Sequence, residues 1–154
     1  MSAVPNASFQ DRLPLLVAAL WWGGATALSM VAVPMAFAVM DNPAIAGPYA
    51  AKLFQVQAWA SLTLSIGLVV WGRLQRLRSE EVTARWVLLP WLLMAAMAAL
   101  LQEHGVAERI LTARTTGADL RVWHTVGSAL VLVQWICALR VLWWFAQRTD
   151  RPHR

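Results

Sequence analysis

The sequence predicts an all-α integral membrane protein, an up-down four-helix bundle with both termini in the cytoplasm. Three observations carry that expectation. Hydrophobic residues make up 59% of the 154 residues and charged ones only 14%, against roughly 25% charged in an ordinary soluble domain. The charges gather between four uncharged runs, Leu13–Met40, Leu53–Gly72, Trp86–Gln102 and Val122–Leu139. Those runs are continuously apolar and rich in Ala and Leu, without the polar alternation that the lumen of a β-barrel imposes. A chain of this length makes one domain.

The elements follow in order, with spans expected at 13–40, 50–72, 86–104 and 121–145. A helix needs about 20 residues to cross the hydrocarbon core, and the first run exceeds that. Ala36-Phe37-Ala38 has the small-x-small form of a signal-peptide cleavage site, but a signal's apolar region is only about 7 to 15 residues. The run is therefore kept as a span. Within it Trp21-Trp22-Gly23-Gly24 reads as a packing segment, with Gly23, Ala27 and Met30 at helical spacing. Pro34 frees the carbonyl of Met30 and predicts a kink. Asp41-Asn42-Pro43 breaks the chain before the second span, and Pro14 and Pro48 are placed in first turns, where proline is tolerated. In the second span Gln57, Ser61 and Ser65 recur every four residues, the pattern of polar side chains that join membrane helices. The third run is short, and Arg85 can snorkel to extend it. Thr116-Gly117 ends that hairpin. The fourth span continues past Arg140 through Val141 to Phe145.

Orientation follows from Lys and Arg, which stay on the cytoplasmic side near span ends. With both termini inside, Arg12, Arg73, Arg76, Arg78, Arg85, Arg148, Arg151 and Arg154 lie within. Lys52, Arg109, Arg114 and Arg121 lie outside. Trp71, Trp86, Trp143 and Trp144 then mark the inner interface and Trp123 the outer one.

Several functions are excluded. The single Cys137 cannot form an intramolecular disulfide or a thiolate zinc site. The net charge of +5 is scattered between apolar runs instead of clustered on one face, so no nucleic-acid surface is expected. The loops hold no phosphate-binding glycine pattern, paired-cysteine motif or nucleophile elbow. The stretch from Arg73 to Arg85 reads as a loop touching anionic lipid. Val106 to Leu111 is mildly amphipathic and is expected along the outer interface.

Candidate chemistry lies at the outer end. His104 closes the third span and His124 opens the fourth, and Met94 and Met97 share a helical stripe with His104. Imidazole and thioether suit Cu(I), and imidazole is the usual axial ligand of haem. The expected cofactor-binding pair is thus His104 and His124, with Met94 and Met97 added for copper. The plainer reading makes the methionines core filler and the histidines solvated interface residues. Glu103 can orient an imidazole or take a proton, and Lys52, Gln57 and Ser61 complete the polar positions. No catalytic residue stands out, which leans against an enzyme.

Leu15-Leu16 leading into Trp21-Trp22-Gly23, Ala51-Lys52-Leu53-Phe54, Gln102-Glu103-His104-Gly105-Val106-Ala107-Glu108-Arg109-Ile110, and Trp123-His124 with Gly127-Ser128 and Gln134-Trp135 carry a family likeness. From about Leu13 to Leu142 the chain resembles the transmembrane-protein-205-like (DUF4149-type) family of bacterial membrane proteins. The resemblance implies a small multi-pass protein of the bacterial inner membrane. More remotely the chain is similar to copper-resistance membrane proteins and to haem-dependent protoporphyrinogen oxidase. The expected functions are assembly with a membrane-protein partner or a second copy of itself, or binding or transport of copper or haem. The alternative is a haem-dependent membrane oxidoreductase.

Overall fold

The computed structural model describes residues 9–76, 83–110 and 120–149, and all of its regular structure is helical. The first helix comprises α1 (Phe9–Thr26), a π-helical stretch π1 (Ala27–Ala32) and α2 (Val33–Val39). The second is α3 (Pro43–Arg76), the third is α4 (Thr83–Leu100) continued by π2 (Leu101–Ala107), and the fourth is α5 (Leu120–Thr149). Four stretches within them are long and apolar enough to cross a bilayer: Arg12–Val39, Pro43–Leu74, Val87–Ile110 and Arg121–Arg148. An all-helical four-helix bundle is the result.

The turn between the first two helices shows why a helix starts there. Asn42 accepts the Ala44 backbone N–H on Oδ1 at 2.9 Å, and Pro43 takes the first helical position, where its missing N–H costs nothing. The second helix therefore begins at Pro43 rather than at 50. Pro48 lies inside that helix and Pro14 inside the first, so neither is the first-turn proline the sequence suggested. Pro34 perturbs the first helix as a change of winding: the Val33 N–H bonds the carbonyl of Leu28, five residues back, the π pattern. Val106 to Ile110 continues the third helix instead of lying flat on an interface. Thr116-Gly117 and the side chains of Arg85 and Trp86 lie outside the described residues.

Each helix packs against its neighbours in sequence, and the first closes the ring against the fourth. The third and fourth are antiparallel. Arg140 sits over the Trp91 ring, Gln134 meets Gln102, Val106 meets Gly127, and Arg109 sits over Trp123. One partner's number rises as the other's falls. A Cβ on Gly127 would lie 3.3 Å from Val106 Cγ1, so the missing side chain permits that close crossing.

Two halves differ in content. Toward the end bearing Arg73, the core is apolar, with Ala18, Trp21, Leu68, Leu88, Leu92, Ala95, Cys137, Ala138 and Val141 buried together. Lipid supplies no hydrophobic drive between helices, so small residues that admit close contact supply the cohesion. Ala18, Ala95 and Ala138 are fully buried. Outward, Leu20, Val56, Leu93 and Leu132 are exposed, an apolar surface that suits a bilayer. Gly23, Gly24, Ala27 and Met30 also face outward. Trp21 and Trp22 take the inward directions, so the small-residue face expected to pack inside the bundle lies on its exterior.

Candidate functional site

Toward the opposite end, near Asp41, polar side chains join the helices in a belt. Ser29 Oγ donates to Gln57 Oε1 at 2.9 Å, linking first and second helices. Gln102 Nε2 donates to the Phe54 carbonyl at 3.3 Å, linking second and third. Gln134 Nε2 donates to Gln102 Oε1 at 2.6 Å, linking third and fourth. Trp135 Nε1 donates to Thr26 Oγ1 at 2.8 Å and returns to the first helix. Every neighbouring pair is thereby tied once near one level.

The glutamines are buried because each finds a partner there; an unpaired amide in an apolar medium costs about 1–3 kcal/mol. Gln57 and Gln134 are 2% and 0% exposed. Three buried atoms nevertheless lack a partner among the described residues: Trp22 Nε1, Gln57 Nε2 and Gln134 Oε1. The Trp22 and Trp135 rings lie 5.6 Å apart, and Trp21 Nε1 donates to Ser61 Oγ at 3.1 Å one step below. Both π-helical stretches border this belt: Ser29 belongs to π1 and Gln102 to π2. Widened turns of this kind shift side-chain register and recur at functional sites.

An ionisable branch leaves the belt on one side. Gln55 Nε2 donates to Glu103 Oε1 at 2.5 Å, and Lys52 Nζ donates to Gln55 Oε1 at 3.2 Å. Glu103 is half-buried, and among the described residues no cation is bonded to its carboxylate. Together with His104 it lines a shallow, half-open groove between second and third helices, walled by Ala58, Trp59, Leu62 and Ala99.

The sequence candidates divide accordingly. Gln57 and Ser61 lie buried between helices; Glu103, His104 and Lys52 share the branch. His124 is exposed on the fourth helix and does not line that groove. Met94 and Met97 are 43% and 57% exposed, on the outward face. Among the described residues no three of His, Cys, Asp or Glu gather as a metal-holding group. Sequence reasoning passed over Gln102 and Gln134 as site residues, although a glutamine inside an apolar run is as costly as Gln57 and signals a partner for the same reason.

A family model described as a domain of unknown function, DUF4149, matches residues 16–119, more than half of the chain. That segment holds three helices of the belt, while Gln134 and Trp135 lie beyond it. No curated protein and no solved structure matches, and the expected remote similarity to copper-resistance proteins and the haem-dependent oxidase finds no support in these comparisons. On the extent of the family match, this multi-pass membrane protein belongs to the DUF4149 family.

Proposed function

We propose that the protein is a binding protein of the bacterial inner membrane without catalytic chemistry of its own. Both termini face the cytoplasm, and a small ligand is taken at the outer end through Glu103 and His104. The observation that carries this reading is the half-buried Glu103 carboxylate, which opens on a groove between two apolar helices with no cation among the described residues bonded to it. Ionisable groups within spans are costly and are retained where they meet a ligand or a partner.

A metal or haem held by His104 and His124, with Met94 and Met97, is the narrower form proposed from sequence. The antiparallel crossing of Val106 over Gly127 supports it by bringing the third and fourth helices close at that end. The outward methionines support it least. Its redox extension, a haem-dependent oxidoreductase, requires bound haem first.

The experiment is native mass spectrometry, absorption spectroscopy and metal analysis of the full chain purified in mild detergent. A retained small molecule that is lost in the Glu103→Gln, His104→Ala double variant is expected. A Soret band or stoichiometric copper abolished in His104→Ala, His124→Ala would carry the metal form. A chain that purifies empty and takes up neither lipid, copper nor haem overturns the binding reading.

A second reading, assembly with another copy or a membrane partner, is favoured by Gly23 and Gly24. Both are exposed, with nothing within 4 Å of where a Cβ would stand. Glycine costs a helix about 1 kcal/mol relative to alanine, and its benefit in membranes is close helix approach. Gly23→Leu and Gly24→Leu should leave the monomer's fold intact and shift an oligomer to monomer in detergent. An unchanged oligomeric state removes this reading.

A further inference from the structure

We infer that the groove between the second and third helices is a lipid site selective for a headgroup carrying both a primary ammonium and a phosphate. This rests on the binding reading above and names the class of ligand. The argument starts from Glu103. Its Oε1 accepts from Gln55, and among the described residues no cation bonds the carboxylate, which can therefore attract a cationic donor. Trp59, 48% exposed on the same wall, offers an aromatic face, the other side-chain feature that favours an ammonium.

The positive group lies one step further out. Lys52 is exposed and holds its ammonium on Gln55 Oε1, about two turns along the helix from Trp59 and nearer the Asp41 end. The branch thus presents a carboxylate beside the groove and a lysine beyond it. A headgroup with phosphate alone would meet Glu103 unfavourably, and a simple amine would leave Lys52 unmatched. A dipolar ammonium–phosphate group satisfies both, and His104 adds an imidazole N–H for a phosphate oxygen.

The surroundings suit the rest of a lipid. Ala58, Leu62 and Ala99 form an apolar wall, against whose surface the start of an acyl chain can lie. Glu103 lies seven residues before Ile110, the last described residue of its span, or about 10 Å along the axis. That is within reach of the headgroup layer.

The test uses the full-length wild-type chain, exchanged into nanodiscs of phosphatidylethanolamine or phosphatidylglycerol mixed with neutral diacylglycerol, and read as retained one-to-one adducts by native mass spectrometry. Retention of the ethanolamine lipid should exceed that of the glycerol lipid roughly tenfold, the equivalent of about 1.4 kcal/mol. Glu103→Gln should erase the preference without lowering retention of the glycerol lipid, while Lys52→Gln should weaken both. Equal retention by the wild type overturns the inference whatever the variants do, and leaves the binding reading standing if another small molecule is retained. A preference that survives Glu103→Gln in a folded variant overturns it as well. No retention of either lipid, nor of any other molecule, overturns both.

Discussion

Replacing Gln102 and Gln134 by leucine, singly and together, tests whether the belt acts as a coupled unit. Each amide is buried, at 6% and 0% exposure, and the 2.6 Å bond between them joins third and fourth helices. Hydrogen bonds between membrane helices average about 0.6 kcal/mol and reach about 1.7. Gln134→Leu loses that bond and strands Gln102 Oε1, yet also removes the orphaned Gln134 Oε1. Gln102→Leu loses the same bond and the one to Phe54, leaving Gln134 Nε2 only the Leu130 carbonyl at 3.3 Å. Each single change should cost about 1–2 kcal/mol, since a stranded buried group adds about 1–3 to the lost bond and relief elsewhere offsets part of it. The double variant strands neither amide, because apolar groups replace both partners. It should be no less stable than the worse single variant, giving a coupling energy of about 1–2 kcal/mol. The assay is unfolding of the purified chain in mixed micelles with rising SDS fraction, followed by tryptophan fluorescence. Costs that add within about 0.5 kcal/mol, the margin for independent sites, would refute the belt as a coupled unit.

Further outcomes follow from the same geometry. Gly127→Leu, placed against Val106 at a site already tight at 3.3 Å, should destabilise by about 1–3 kcal/mol through overpacking, measured by the same unfolding assay; Gly67→Leu, in open space, should not. Trp135→Phe keeps a ring against Trp22 but loses the indole bond to Thr26, and should cost about 1 kcal/mol; Thr26→Val added to it should cost little more. Ser61→Ala strands the buried Trp21 indole N–H and should lower stability by about 1–2 kcal/mol. A reporter fused after Arg154 should be active in the cytoplasm and silent in the periplasm, which checks the proposed orientation.

Much of this was legible without coordinates. Asp41-Asn42-Pro43 marked a helix boundary because the cap and the first-turn proline are local chemistry. Gln57 and Ser61 were legible as interhelical groups because an amide inside an apolar run must find a partner. The fate of Gly23 was not legible: helical spacing relates it to Ala27 equally well whether that face turns in or out. Only the inward placement of Trp21 and Trp22 decides. His104 and His124 sit at similar depth by counting residues, but counting does not give azimuth. The π winding of Leu101–Ala107 changes the angle between successive side chains, and the backbone alone reveals it.

A transmembrane helix satisfies its backbone bonds within itself, so apolar run length sufficed to predict four helices able to cross a membrane, and flanking charge to give an expected orientation. Which side chains meet across helices depends on rotation and crossing of elements whose contacts lie tens of residues apart. The joining of Gln57, Gln102 and Gln134 to their partners, the opening of Glu103 onto a groove and the outward turn of Gly23 and Gly24 were therefore decided by tertiary packing alone.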